Sequence, residues 1–311
     1  MMFFHKDGQL EEAGDRILEA FWAAFPGVAR NQLALTWVVY DPPVRVNTGG
    51  AISPEEFWKY SPRGFSYRGV ECMEPAGLAH LFYLVAIQEW LERGMVQPSA
   101  ELDRALRNMT VNSSNDAASL VVDILTGTTS GPELPPQPFE TWKQQRQIVN
   151  RYLKTFDWEE LNTVNICQKT WTDGPYGRER AFLGEMLENR NQLTTIAMAR
   201  LLHSIVGGVS VSAARSQTML HLLQRSPAVA ETVQPDASGK GFLGAGLPAD
   251  AHLWSKATVT SQVRHQAAYI ELMDARPYLL VVFLEGKFAS GNEAILPFLS
   301  QQVVQAVRSL E

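Results

Sequence analysis

AHLWSKATVTSQVRHQAAYIELMDARPYLLVVFLE, residues 251–285, decides the fold of this chain. Three runs of strand length, residues 251–260, 263–272 and 278–285, follow one another across connections of two and five residues. Short links between such runs allow only neighbouring antiparallel strands, so the segment reads as a meander. Its last run, YLLVVFL, is continuously apolar, yet far below the ~18 residues that cross a bilayer. Residues 292–310 then read as a closing helix.

The matching strands come from the other end of the chain. LALTWVVY, residues 33–40, reads as a buried strand halted by Asp41-Pro42-Pro43, and residues 65–71 read as its neighbour. Before them Leu10, Ala13, Ile17, Leu18, Phe21 and Trp22 recur at helical spacing up to the stop at Pro26-Gly27. The middle is helical. Residues 78–93 form a long apolar helix closed by Gly94, and shorter helices are expected at 101–108, 116–125, 140–156, 194–206 and 213–224. TGTTSGPELPPQP, residues 126–138, reads as a loop, and residues 162–191 as irregular and polar. A sheet that must close across a helical insertion, with terminal helices packed on it, is an α+β layout. The expected organisation is one unit over residues 1–311. Residues 1–70 and 250–311 form its sheet subdomain, and residues 71–250 its large all-helical insertion.

Hydrophobic residues make up 45% of the 311, enough for a substantial core. The net charge of −6, with no basic cluster, argues against nucleic acid as a partner. Met1-Met2-Phe3-Phe4-His5-Lys6-Asp7 lacks the basic and small-residue parts of an export signal, and no run of apolar residues is long enough to span a membrane. The two cysteines, Cys72 and Cys167, are too few for a disulfide framework. A soluble cytoplasmic protein without a membrane partner is expected. No cofactor is expected, and the scattered histidines and acids offer no correctly spaced metal set.

Three short stretches carry polar residues that a cleft could use. Gly77-Leu78-Ala79-His80 opens the long apolar helix, Ser113-Ser114-Asn115 precedes the helix at Asp116, and Lys256-Ala257-Thr258 lies in the first strand of the meander. With the blocks at residues 81–94, 109–125, 193–207 and 254–286, they resemble the class A β-lactamase-type serine hydrolases of the penicillin-binding fold. The resemblance covers the chain from about residue 33 onward. It implies the β-lactamase/transpeptidase-like fold and three motifs, S-x-x-K, S-D-N and K-T-G. In that chemistry a serine at a helix start attacks an acyl carbonyl, and a lysine one turn on takes or relays its proton. A second serine serves the leaving group, the third motif supplies positive charge, and a strand N–H completes the oxyanion hole.

On that resemblance the second motif survives as Ser113, Ser114 and Asn115, residue types that also suit plain helix capping. The first is broken: Gly77 stands where the nucleophile belongs, and His80, short and rigid, stands for the flexible lysine. The bland reading of His80 is a satisfied buried polar residue. Lys256 keeps the charge of the third motif, but Thr258 puts a branched side chain where a glycine lines the channel. Val259 and Gln266 replace an expected bulkier residue and an acid, while Arg264 and His265 read as paired polar residues. A deacylating glutamate would come from Glu179, Glu185 or Glu188, with Asn189 and Asn191 nearby, and spacing does not choose among them. The expected function is therefore a catalytically impaired homologue. It would bind a protein partner or small ligand through Ser113, Asn115, Lys256 and His80. The alternatives are an active hydrolase with a non-standard nucleophile such as Ser113 served by Lys256, a water activated by His80, or an interaction protein using the 126–138 loop.

Overall fold

The computed structural model describes residues 2–41, 51–226 and 241–310, so the expected strand stop at Pro42 and Pro43 lies outside the described residues. In chain order the elements begin with β1 (His5–Lys6), α1 (Gly8–Ala24), β2 (Leu33–Val39), α2 (Pro54–Phe57) and β3 (Arg63–Tyr67). A helical series follows: α3 (Ala79–Glu92), α4 (Ala100–Val111), α5 (Asn115–Thr126), α6 (Pro136–Arg146), α7 (Ile148–Lys154) and α8 (Gly177–Leu183). The chain then adds α9 (Thr195–Val206), α10 (Ala213–Leu223), β4 (Gln224–Arg225), β5 (His252–Val259), β6 (Val263–Glu271), β7 (Tyr278–Glu285), α11 (Lys287–Gly291) and α12 (Ile295–Arg308). None of the helices among the described residues is long and apolar enough to cross a membrane. The chain divides into two compact units, one of Met1–Glu71 with Thr194–Glu311, the other Cys72–Leu193.

The first unit is built on a sheet in the order β1-β3-β2-β7-β6-β5-β4. The meander β5–β6–β7 is antiparallel in the register Trp254↔Tyr269 and Gln266↔Val282. β2 pairs with β7 from Leu33↔Leu284 to Val39↔Tyr278, closing the sheet between the chain's two ends. The outer pair β1–β3 is parallel, two residues long, and makes the sheet mixed rather than purely antiparallel. Period-2 alternation sorts the strands into two faces. Leu33, Leu35, Trp37, Leu280, Val282, Ala268 and Leu253 turn to one core with α1 and α12. The amphipathic α1 starts on Asp7, whose carboxylate accepts from Leu10 N at 3.1 Å, and buries Leu10, Ala13, Ile17 and Phe21. Gly14 permits its close approach to β3, since a Cβ there would meet the Phe65 ring at 2.6 Å.

The opposite face carries α9, which packs on β2, β6 and β7. Its first turn is tied to the sheet by Thr195 Oγ1, 2.8 Å from Thr36 Oγ1. The expected boundary lay near residue 250; in the structure α9 and α10 fall in the sheet unit, which resumes at Thr194. With both faces covered, β7 is buried along nearly its whole length, which is why it reads as an unbroken apolar run.

In the second unit α3 is buried over Ala79–Gln88, and Gly94, at φ 68°, ends it in the left-handed conformation. α4 and α5 start on Ser99 and Ser114, whose hydroxyls accept from Leu102 N and Ala117 N. The single helix expected over residues 140–156 is two, α6 and α7, separated at Gln147. The stretch 162–191, expected to be irregular, contains α8 and is held by side chains. Asn191 Oδ1 accepts from Cys167 N and Gln168 N, both at 2.9 Å, and its amide donates to Gln168 O. The 126–138 loop is an anchored connection: Trp142 Nε1 donates to Thr129 O, and Arg178 Nε donates to Pro132 O.

Candidate functional site

In the helical unit the candidate residues gather around the start of α3. Gly77 lies in the tight turn Ala76–Leu78 that runs into the helix, and is buried. Ala76 before it has φ 45°, a left-handed backbone that costs a residue with a Cβ on the order of 1 kcal/mol. His80, one turn on, is 1% exposed. Its Nδ1 is 3.2 Å from Met109 O at the end of α4, and its Nε2 is 3.0 Å from Thr170 Oγ1. A carbonyl only accepts, so Nδ1 carries the proton, and in the neutral ring Nε2 accepts from the threonine hydroxyl.

Ser113 makes the turn from α4 to α5 with φ 53°. Ser114 N donates to Asn108 O across it, and the Ser114 hydroxyl caps α5. Asn115 Nδ2 donates to Thr172 Oγ1 at 3.4 Å. Thr170 and Thr172 therefore join the site, bringing one short segment of the 162–191 stretch against His80 and Asn115. Reading along the sequence missed both, because the His80–Thr170 pair spans 90 residues. The run KTWTDG, rich in small hydroxyl residues, was the available signal.

The glutamates of this stretch do not converge on that site. Glu179 is 1% exposed inside an ion network: Arg146 pairs with it, Ser130 Oγ donates to it at 2.8 Å, and Lys169 Nζ lies 3.9 Å away. Lys169 also donates to Asp123 at 2.8 Å and to Ser130 at 2.7 Å. Glu185 and Glu188 are exposed, and Glu188 accepts from Met186 N.

Lys256 and Thr258 belong to the sheet unit, on β5. Lys256 is 1% exposed, and burial pushes its amine down to about 7, with Arg225 adding repulsion. Thr258 is half-buried opposite His265. The residues beside them bond within the sheet unit. Arg264 donates to Ser290 O and Gly241 O. His265 Nδ1 accepts from Leu284 N, and its ring stacks on Phe283 with centroids 4.6 Å apart. Gln266 Oε1 accepts from Leu243 N at 2.7 Å, and its amide donates to Ser255 Oγ at 3.3 Å.

Comparison with known proteins follows the same lines. The model of the β-lactamase enzyme family matches residues 93–307, which include Ser113, Asn115, Lys256 and Thr258 and begin after Gly77 and His80. Among solved structures, the chain is similar to the β-lactamase of Sphaerobacter thermophilus, at 14% identity over 95% of this chain and 98% of that one, TM-score 0.60. A β-lactamase of Xanthomonas campestris pv. campestris is similar at 17% identity over 94% and 98%, TM-score 0.60. So is the class A β-lactamase of the last common ancestor of Gram-negative bacteria, at 17% identity, 94% and 98%, TM-score 0.60. Such identities speak for the fold alone. Among curated proteins nothing matches the chain.

Proposed function

The chain belongs to the β-lactamase enzyme family, and from that premise we propose that it has lost the family's acyl-transfer chemistry and acts by binding a small ligand or a protein partner. One observation carries the reading: Gly77, in the turn entering α3, has no atom that could form an acyl-enzyme. The His80 ring supports it, since both its nitrogens are engaged by Met109 and Thr170. The partly exposed Asn115, Thr170 and Thr172 are what we propose contacts the ligand, and the buried His80 holds Thr170 in place.

The second reading is an active hydrolase with a non-standard nucleophile such as Ser113. It is favoured by the place of Ser113 itself, in the α4–α5 turn at φ 53° beside Asn115. Incubation with a fluorescent penicillin and a fluorophosphonate, followed by intact-mass analysis, separates the two. The wild-type chain is expected to gain no adduct, and one mapped to Ser113 or Thr170 establishes the second reading instead. The paired reversion Gly77→Ser, His80→Lys is expected to become acylated. A folded, unlabelled revertant would mean that Gly77 does not occupy the nucleophile position.

A further inference from the structure

On the sheet unit α10 buries Ser216, Met219 and Leu223. Its next face, with Leu220 and His221, walls an open groove of about 400 Å³, within the size range of small-molecule sites. The floor is Trp254, Tyr269 and Glu271. Trp254 and Tyr269 are cross-strand partners on β5 and β6, with ring centroids 5.6 Å apart. Tyr269 is buried, and its hydroxyl donates to Glu271 Oε1 at 2.9 Å. That bond holds a carboxylate at the edge of an aromatic floor. No Lys or Arg lines the groove, and no cation among the described residues pairs with Glu271. The titratable groups beside it are His221 on the wall and His252, its exposed cross-strand partner.

We propose that this groove binds an organic cation, an alkylated ammonium of small size. The carboxylate supplies the opposite charge, and the half-buried Trp254 ring, backed by Tyr269, attracts a positive group through its quadrupole. Leu220 and Val206 offer apolar cover for the alkyl part. An anion would meet Glu271 with no positive side chain in compensation. The site uses none of the residues around His80, and the assignment stands whether or not the chain has lost its family's chemistry.

The test uses the full chain with 5-fluorotryptophan in place of its eight tryptophans, and Trp254→Phe identifies the Trp254 resonance in fluorine NMR. Choline and 3,3-dimethylbutan-1-ol share one shape, and only the first is charged. Choline is expected to shift the Trp254 resonance saturably, with the neutral alcohol about tenfold weaker. Glu271→Gln keeps an oxygen for the Tyr269 hydroxyl and is expected to remove that preference. No shift at Trp254 with either compound, equal binding of the two, or an unchanged preference in Glu271→Gln each overturns the proposal.

Discussion

His203 of α9 is enclosed by the rings of Phe3, Tyr40, Phe57 and Trp58, with centroids 4.7 to 5.6 Å away. Its Nδ1 lies 2.9 Å from the Tyr40 hydroxyl. Burial, with repulsion from Arg200, lowers its pKa to about 3 from the ordinary 6.5. Between these values the unfolded chain takes up a proton that the folded chain refuses. This residue's contribution is therefore complete above pH 6.5 and declines as the pH falls towards 3, by up to about 1.4 kcal/mol per pH unit. Urea unfolding at about pH 7 and pH 5 is expected to show that loss, and His203→Phe to flatten it. The same residue shows what single positions disclose. Its place in a helical pattern was evident from sequence, but its aromatic enclosure draws on residues from Phe3 to Trp58 that only the tertiary fold assembles. Gly77 and His80 were singled out by the resemblance of their stretch to S-x-x-K, three positions apart in the chain. Thr170 was not, because nothing local ties it to His80.

At the scale of elements, helical spacing announced α1, and length with apolar content announced α3, α9 and the meander. The two-residue β1 and β4 carry no period, and their strand geometry comes from β3 and β5 alongside. α8 was hidden for another reason: its seven residues open on the charged Arg178, Glu179 and Arg180, and Glu179 is buried in an ion pair. The network of Asp123 on α5, Arg146 on α6, Lys169 and Glu179 on α8 fastens four parts of the helical unit. Removing one charge from such a group leaves its partner buried and uncompensated. Glu179→Gln is expected to cost about 3 kcal/mol in chemical denaturation. The pair Arg146→Met, Glu179→Leu is expected to cost less than that single change. A Glu179→Gln protein as stable as wild type would show that the network does not hold α8.

For the whole molecule, the α+β layout followed from strands at both ends of the chain and helices between them. The point of return did not, because residues 194–206 are as helical as the insertion they follow. Only the burial of α9 on the sheet assigns them to it. A chain ending at residue 250 lacks β5, β6, β7 and α12, and with them the neighbours of β2 and much of the core of the sheet unit. Because Cys72–Leu193 is a compact unit of its own, the readout is taken in the sheet unit: hydrogen exchange is expected to find no protected amides in β2. Protected β2 amides in that fragment would mean that the N-terminal part holds its fold without the meander.

The pairing of β2 with β7 also sets a timetable. Val39 waits for Tyr278, roughly 240 residues later in synthesis. At translation rates of 5–20 residues per second, that is on the order of ten to fifty seconds. During that interval LALTWVV, buried on both faces in the finished fold, has one row of its backbone groups unmatched. A strand interior to the finished sheet thus begins as the exposed edge of a nascent chain. The moment of greatest aggregation risk for this protein falls before its last sixty or so residues are made.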